Sequence, residues 1–469
     1  MQLSNVFNLG KNFFLSLTGA RRDLATLIKD NDISKALDLF ENNDFAVADA
    51  IKEYNPLTHD VMKRPDKIRK NRTTHIVQKL PRSWQRYINE VALFFLLAKP
   101  IKFKLKDEEN SKHQEAFTAF QDFLKDLRFN PSMRSFKRIA GAETECAKLY
   151  RCYKDKDNNA QCQIVILSRQ NGYYLRPLFD QYKNMIAFGY GYYLNEGSTT
   201  VEHFDIETPE VIYECKKELL GWSHTERPNP TGKINVIYAK QPKEWEGSEP
   251  RIKRDEMLDS KAADTNDYFA DPMVKATKDA MGQLPDPEQV GKVIQLTGKD
   301  SVFEYIEPPT SIEMKDSEKK VLRGSILQDT FTPDFSAEAM TGTGDLSGEA
   351  LKRAMILGYM KRDNSLEIYD PLVDREINLI LAIMANVTHT TLAATLKEIS
   401  ISHTFAEPFD EDTTAMYSNV CKLYDSGLLS LEEAVQTIGL TKDNAAEVDR
   451  ILKSQEKKSK ESAWPTAGV

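Results

Sequence analysis

The stretch that most constrains this chain lies between residues 329 and 384, where an acidic, glycine-studded segment leads directly into one very long helical repeat. Beginning near Leu346, the apolar residues Leu351, Met355, Tyr359, Leu366, Tyr369, Val373, Ile377, Leu381 and Met384 recur at helical steps. That spacing predicts a single long helix with one buried stripe. Pro371 sits inside it and is expected to kink or briefly break it, because proline has no N–H for the carbonyl one turn earlier. Ahead of the helix, Asp334, Glu338, Asp345 and Glu349 fall in a run, 331–350, that holds no Lys or Arg. Gly342, Gly344 and Gly348 free its backbone. A mobile acidic loop on a rigid support suits a part that lies beside a polyanion without adhering to it.

At 469 residues the chain predicts two to four compact units. Charged residues make up 29% and hydrophobic ones 41%, the balance of a folded protein. No window approaches the roughly 18 apolar residues of a membrane span; the run 91–98 is of core length. Lys11, Arg21 and Arg22 are too dispersed for a signal peptide, so the expectation is a protein made and used inside a cell, with no membrane partner. A net charge of −8 argues against a protein that grips DNA to read it. The cysteines Cys146, Cys152, Cys162, Cys215 and Cys421 form no CxxC pair and read as reduced structural thiols.

The first eighty residues predict short peripheral helices, at 33–40 after an Asp-Asn-Asp cap and around 45–54. From Lys63 to Arg86 nine basic residues face one acid, Asp66. That run reads as a solvated connection, as a contact with an acidic partner surface, or as a phosphate-contacting patch. A helix opens at Pro81 and stops before Pro100; a strand, 101–105, and a long amphipathic helix, about 111–129, follow. Six strands are predicted between 149 and 217, and the Tyr190–Tyr193 run reads as one packed strand face rather than a base-stacking platform. After Trp222 the composition turns to turn-formers, then to a short strand, 234–240.

Two charged helices, 250–270 and 310–328, flank a small module with a hairpin whose strands are 291–296 and 301–307. The second helix opens with a Thr310/Glu313 capping box. Each helix spans on the order of 30 Å and is too polar to hold a two-helix core, so packing against neighbouring copies is expected to supply the missing burial in a ring. The C-terminal part is again helical, with a Ser430/Glu433 capping box, and the tail from 456 onward is expected to be disordered.

Enzyme signatures are sparse. No GxxxxGK[ST] loop is present, and the Gly342–Gly344–Gly348 spacing does not match a dinucleotide fingerprint. Asp370, Asp374 and Glu376 could gather a metal, but on a helix 376 points away from the other two. The reading is therefore non-enzymatic: no catalytic residue, cofactor or metal. The alternatives are a metal-dependent nucleic-acid-processing enzyme, or a ring-forming adaptor or scaffold not traversed by DNA.

The order of parts resembles the portal (head–tail connector) proteins of tailed double-stranded-DNA bacteriophages, the siphophage-type family. The stretches that carry the resemblance are PRSWQRYINEVALFFLLAKPIKF, the two charged helices around a hairpin ending VFEYIE, LSGEALKRAMILGYMKRD, and GLLSLEEAVQTIGLTKDNAAEVDRI. The resemblance covers residues 80 to 455. It implies a mixed α+β, predominantly helical portal fold of wing, stem, clip and crown, assembling as a dodecameric ring. By position, 1–80 would be a peripheral region, 81–249 the wing, 250–270 and 310–328 the stem helices, and 271–309 the clip. The tunnel loop would be 329–347, the spine helix 348–388, the crown 389–455 and the disordered tail 456–469.

The resemblance assigns Asp334, Glu338, Thr341, Gly342, Thr343, Gly344 and Asp345 to the DNA-facing tunnel loop. Lys253, Arg254, Lys261, Lys315, Lys319, Lys320 and Arg323 would line the channel wall. Lys292, Lys299, Asp300, Phe303 and Tyr305 would dock partners at the clip. The implied partners are double-stranded DNA, terminase, major capsid and scaffolding proteins, and a head-completion adaptor. The implied place is the capsid portal vertex of the virion, reached through the host cytoplasm. The interruption at Pro371 and the length of 271–291 depart from the family pattern.

Overall fold

The computed structural model describes residues 20–68, 74–107, 109–219, 221–270, 274–276, 303–305, 312–336, 355–409, 413–439 and 444–462. They fall into two compact units, Met1–Asp334 with Leu357–Ala406, and Phe335–Ile356 with Glu407–Val469.

The first unit begins with helices α1 (Ala20–Lys29), α2 (Ile33–Leu39) and α3 (Asp44–Tyr54). Asp32 caps α2 by accepting the Lys35 backbone N–H at 3.3 Å, as the Asp-Asn-Asp cluster predicts. A small ribbon, β1 (Lys67–Ile68) and β2 (Thr74–His75), precedes α4 (Trp84–Leu97), β3 (Lys102–Leu105), α5 (Ser111–Asp126) and α6 (Phe129–Glu143). Next come β4 (Glu145–Lys154), β5 (Ala160–Leu167), β6 (Tyr174–Phe179), β7 (Met185–Glu196), β8 (Thr199–Glu207), β9 (Val211–Glu218), β10 (Gly221–Pro228) and β11 (Val236–Lys240). They form a five-stranded sheet in the order β10-β9-β8-β7-β6 and a three-stranded sheet β11-β4-β5. The charged helix α7 (Glu249–Ala270), the strands β12 (Val274–Ala276) and β13 (Phe303–Tyr305), and helices α8 (Ile312–Asp329) and α9 (Ile356–Ile383) follow. After a π turn, α10 (Ala393–Glu398) leads to β14 (Ile401–Thr404), which pairs with β3.

Alternation along the strands sends side chains to opposite faces and so builds layers. Leu149, Leu167, Phe188, Tyr190, Val236 and Tyr238 fill the space between the two sheets. The far face of the five-stranded sheet, through Phe204, Ile206 and Cys215, is covered by Leu24, Ile28, Ile33, Ala36 and Phe40. The N-terminal helices are thus part of a core, not the peripheral elements their polarity suggests. The far face of the three-stranded sheet meets α4, α5, α6 and α9 in the largest cluster, which includes Phe120, Phe136, Tyr150, Tyr369, Val373 and Ile380. Tyr190 is buried between the sheets, as the packed-face reading of the tyrosine run expects.

Several boundaries differ from the sequence expectations. The helix expected at Pro81 begins at Trp84, because the preceding residues run along α7: the Leu80 N–H donates to Ser260 Oγ (3.0 Å) and the Arg82 N–H to Glu256 Oε1 (2.9 Å). The helix expected over 111–129 stops at Asp126, where Arg128 takes a left-handed conformation (φ 51), and α6 begins at Phe129. The buried Phe129, Met133, Phe136 and Ala140 of α6 carried a helical spacing that the sequence reading passed over. The first half of the turn-former stretch after Trp222 belongs to strand β10, which ends at Pro228, while 229–233 form the expected turn; as an edge strand β10 faces water and needs no apolar alternation. Strand β13 pairs with β12, while the expected first hairpin strand, 291–296, lies outside the described residues.

Helix α9 is continuous through Pro371. Pro371 and Glu367 are both exposed, so the carbonyl that loses its donor is on the water side, while Tyr369, Val373 and Ile377 stay buried. The expected helix start near Leu346 lies outside the described residues. In the second unit α11 (Thr413–Asp425), α12 (Leu431–Ile438) and α13 (Asn444–Ser462) follow one another. Ser430 accepts the Glu433 N–H at 3.2 Å, the expected capping contact. Helix α13 runs to Ser462, past the point where disorder was expected, and the expected crown start at 389 falls within the first unit, which extends to Ala406.

Gly358 of α9 faces the Phe95 ring of α4 so closely that an added Cβ would overlap it. Gly358→Ala is expected to destabilise by about 1–3 kcal/mol through overpacking. That outweighs the roughly 1 kcal/mol that alanine gains over glycine within a helix. A lower urea midpoint with an unchanged slope would show it.

Candidate functional site

Helices α7 and α8 are held together mainly by ion pairs. Arg323 reaches Asp255 Oδ1 (3.0 Å) and Asp259 Oδ2 (2.9 Å), and Lys319 reaches Asp259 Oδ1 (2.9 Å). Arg254 pairs with Glu318 (2.9 Å), and Arg251 with Asp329. At the base, Ile252 and Ile326 meet Ile88 and Trp245 in a small apolar knot. Several acids of α7 also face residues 59–84. Asp264 pairs with Arg64 (2.7 Å), Trp84 Nε1–H donates to Asp255 Oδ2 (2.9 Å), and Arg82 lies 3.3 Å from Asp259.

Arg64 and Arg82 meet an acidic surface, and that surface belongs to the same chain. His59 Nδ1 sits 2.6 Å from buried Glu256, with Nε2 2.6 Å from the Glu53 carbonyl. Burial opposes a charge on His59, but these two acceptors outweigh it and raise its pKa. Asp60 is held at about 2 by Lys253 and Lys63.

Of the seven cations assigned to the channel wall, Lys253, Arg254, Lys319 and Arg323 are thus engaged within the chain. Among the described residues Lys261, Lys315 and Lys320 have no ion-pair partner. Along the outer face of α8, Met314, Ser317, Val321, Gly324 and Gln328 form an exposed stripe at helical spacing, with Met314 77% and Val321 66% exposed.

Of the residues expected in the tunnel loop, Asp334 is described and exposed; Glu338, Thr341, Gly342, Thr343, Gly344 and Asp345 lie outside the described residues. The approach to the loop is firmly anchored. The Tyr87 hydroxyl donates to the Pro333 carbonyl (3.1 Å), and Lys361 Nζ donates to the Thr330 carbonyl (2.8 Å). Lys361 also pairs with Glu244 (3.2 Å), which pairs with buried Lys137. Gln241 completes this hub: its side-chain amide donates to Glu244 Oε1 (2.9 Å), and its carbonyl oxygen accepts from Lys137 Nζ (3.1 Å) and Tyr369 Oη (2.7 Å).

Sequence reasoning missed this hub. Its signal is the seven-residue gap between Tyr359 and Leu366 in the apolar stripe, where Lys361, Arg362 and Ser365 occupy buried positions. At the clip, Phe303 and Tyr305 lie in β13, while Lys292, Lys299 and Asp300 are outside the described residues.

The possible metal triad separates as helical geometry requires. Asp370 (2.9 Å) and Asp374 (3.1 Å) flank His403, while Glu376 is buried on another face with Lys148. Among the described residues no group of His, Cys, Asp and Glu is arranged to hold a metal, and no single helix is long and apolar enough to cross a membrane.

The first unit is thus a mixed helix–sheet body carrying two ion-paired helices. The chain belongs to the family described as "Phage portal protein, SPP1 Gp6-like", which matches residues 31–461. Its fold is also similar to a chain in the virion of a native gene transfer agent particle, at 9% identity and TM-score 0.42, covering 86% of this chain and 94% of that one. A chain in the neck of an empty gene transfer agent particle computed with C6 symmetry is similar at 10% identity and TM-score 0.41, covering 77% and 94%. No curated protein matches the chain.

Proposed function

We propose that copies of this portal-family chain close into a dodecameric ring at one capsid vertex, around a channel through which double-stranded DNA is packaged and ejected. The family match over residues 31–461 carries this reading. Helices α7 and α8 would be the stem, 271–309 the clip that docks terminase and later the head-completion adaptor, and 329–347 the tunnel loop. The spine, 348–388, would stand with 81–249 in the wing, and 389–455 would form the crown toward capsid and scaffolding proteins. The role is structural, not catalytic.

Two features of the stem support this reading. The stripe Met314, Val321 and Gly324 on α8 is apolar or small, exposed and helically spaced, which suits packing against a helix of the next copy. Four of the seven wall cations are neutralised within the chain, which lowers the phosphate affinity that would stall DNA in transit. Lys261, Lys315 and Lys320 would be left for weak, salt-sensitive guidance.

Negative-stain images of the purified protein should show closed rings with an axial hole; monomers alone at high concentration would sink the proposal. Deleting Gly342–Asp345 should leave rings intact and impair packaging or retention of the genome. Normal packaging and retention by that variant would remove the loop from the mechanism.

A further inference from the structure

Ten residues apart in sequence, Cys152 and Cys162 stand directly opposite each other in the β4–β5 ladder. The hydrogen-bond pattern identifies the kind of pair they make. At the turn, the Asp155 N–H donates to the Asn159 carbonyl (3.0 Å), which makes 155–159 a bonded position. Tyr150, two residues before Cys152, turns its N–H away from β5 to the Asn235 carbonyl (2.8 Å). Alternation therefore places 150, 152 and 154 at non-hydrogen-bonded positions, where opposing Cα atoms are about 4.5 Å apart and side chains approach most closely. That spacing falls within the roughly 4.4–6.8 Å range that a disulfide spans.

Both thiols are half-buried rather than sealed. We propose that Cys152 and Cys162 are a covalent modification site: a dithiol that exchanges with low-molecular-weight disulfides to close an intrachain staple across β4 and β5.

Either sulfur of the pair can make the first attack, and the chemistry is the same with the roles exchanged. Burial holds Cys146 well above the ordinary range and pushes Cys215 up to about 12, which sets both apart from the half-buried pair. The Cys152 thiolate attacks one sulfur of the small disulfide, forming a mixed disulfide and releasing one thiolate, which takes up a proton. Cys162 then loses its proton, attacks the Cys152 sulfur and expels the second thiolate, which is protonated in turn. Two protein thiols are oxidised to one disulfide, and the small disulfide is reduced to two thiols. A protein folded in a reducing cytosol and then carried out of it would meet both conditions.

The test uses the full-length protein, incubated with oxidised glutathione, alkylated, and mapped by mass spectrometry without reduction. The expected result is one crosslinked peptide pair within a single chain, containing Cys152 and Cys162, lost on adding reductant. Cys162→Ser should trap glutathione on Cys152, and Cys152→Ser should trap it on Cys162, each as a mixed disulfide that no second thiol resolves. Cys146→Ser, Cys215→Ser and Cys421→Ser should leave the crosslink in place. The proposal is overturned if wild-type Cys152 and Cys162 stay fully alkylatable, carry separate glutathione adducts, or link two different chains.

Discussion

Lys148→Met is expected to lower stability by about 3–5 kcal/mol, the cost of leaving a buried charge without its partner. Lys148 is fully buried and pairs with Glu376, itself 0% exposed, beneath the sheet. Burial disfavours the Lys148 ammonium and lowers its pKa, and the Glu376 carboxylate only partly restores it. Its surroundings add cation–π contacts, with Nζ 5.0 Å from the centres of both Phe129 and Phe136. The same oxygen of Glu376 accepts from Tyr150, while its Oε2 has no hydrogen-bond partner. Removing the lysine leaves that carboxylate with one hydroxyl in an apolar setting. Lys148→Met with Glu376→Leu should recover most of the loss, because the pair is costly to bury and replaceable by packing. Urea unfolding of wild type, both single variants and the double variant checks this. Additive losses in the double variant would show that the two residues act separately.

The second large effect is expected at Glu244, the acid between Lys137 and Lys361. Burial opposes its ionisation, yet the two ammonium groups outweigh that and hold its carboxyl at about 2, against 4.5 for a free glutamate. The folded-state value is depressed, so the stabilisation is complete above about 4.5 and is lost as pH falls toward about 2. Its size is about 3 kcal/mol. Glu244→Gln should remove it at neutral pH and leave two buried cations facing a neutral amide. The gap in stability between wild type and this variant should therefore narrow from pH 7 to pH 3. The difference is the readout because Asp205 and Glu207, raised by burial to about 6 and about 7, gain stability over part of the same range. A gap that stays constant with pH would exclude a charged Glu244 as its source. Since Lys361 also binds the Thr330 carbonyl, the variant should loosen the anchored end of α8 as well, visible as faster amide exchange at residues 327–332.

Much of the architecture was legible from local pattern. The stripe through Tyr369, Val373 and Ile377 predicted α9, and the caps at Asp32 and Ser430 predicted the starts of α2 and α12. These signals survive because helix periodicity and capping involve residues three or four apart, whose geometry the backbone sets by itself. The same reasoning overstated Pro371, since a proline on the water side of a packed helix leaves its orphan carbonyl to solvent.

The candidate site was legible only in outline. Its cations could be located on the two charged helices, but not their engagement. Arg64 and Asp264 are far apart in sequence, as are Lys148 and Glu376, and Arg323 and Asp255. A charge at a buried helical position announces that it needs a partner without saying where that partner is.

By itself, then, the sequence determined which segments are helix or strand and which of their faces are apolar, because those properties depend on neighbours along the chain. Only the tertiary structure decided which charges neutralise one another, that Arg64 and Arg82 of the basic run meet the chain's own acids, and that Cys152 meets Cys162. Those outcomes depend on which surfaces come together and in what register, and strand register sets side-chain contact at a resolution that composition and spacing do not carry.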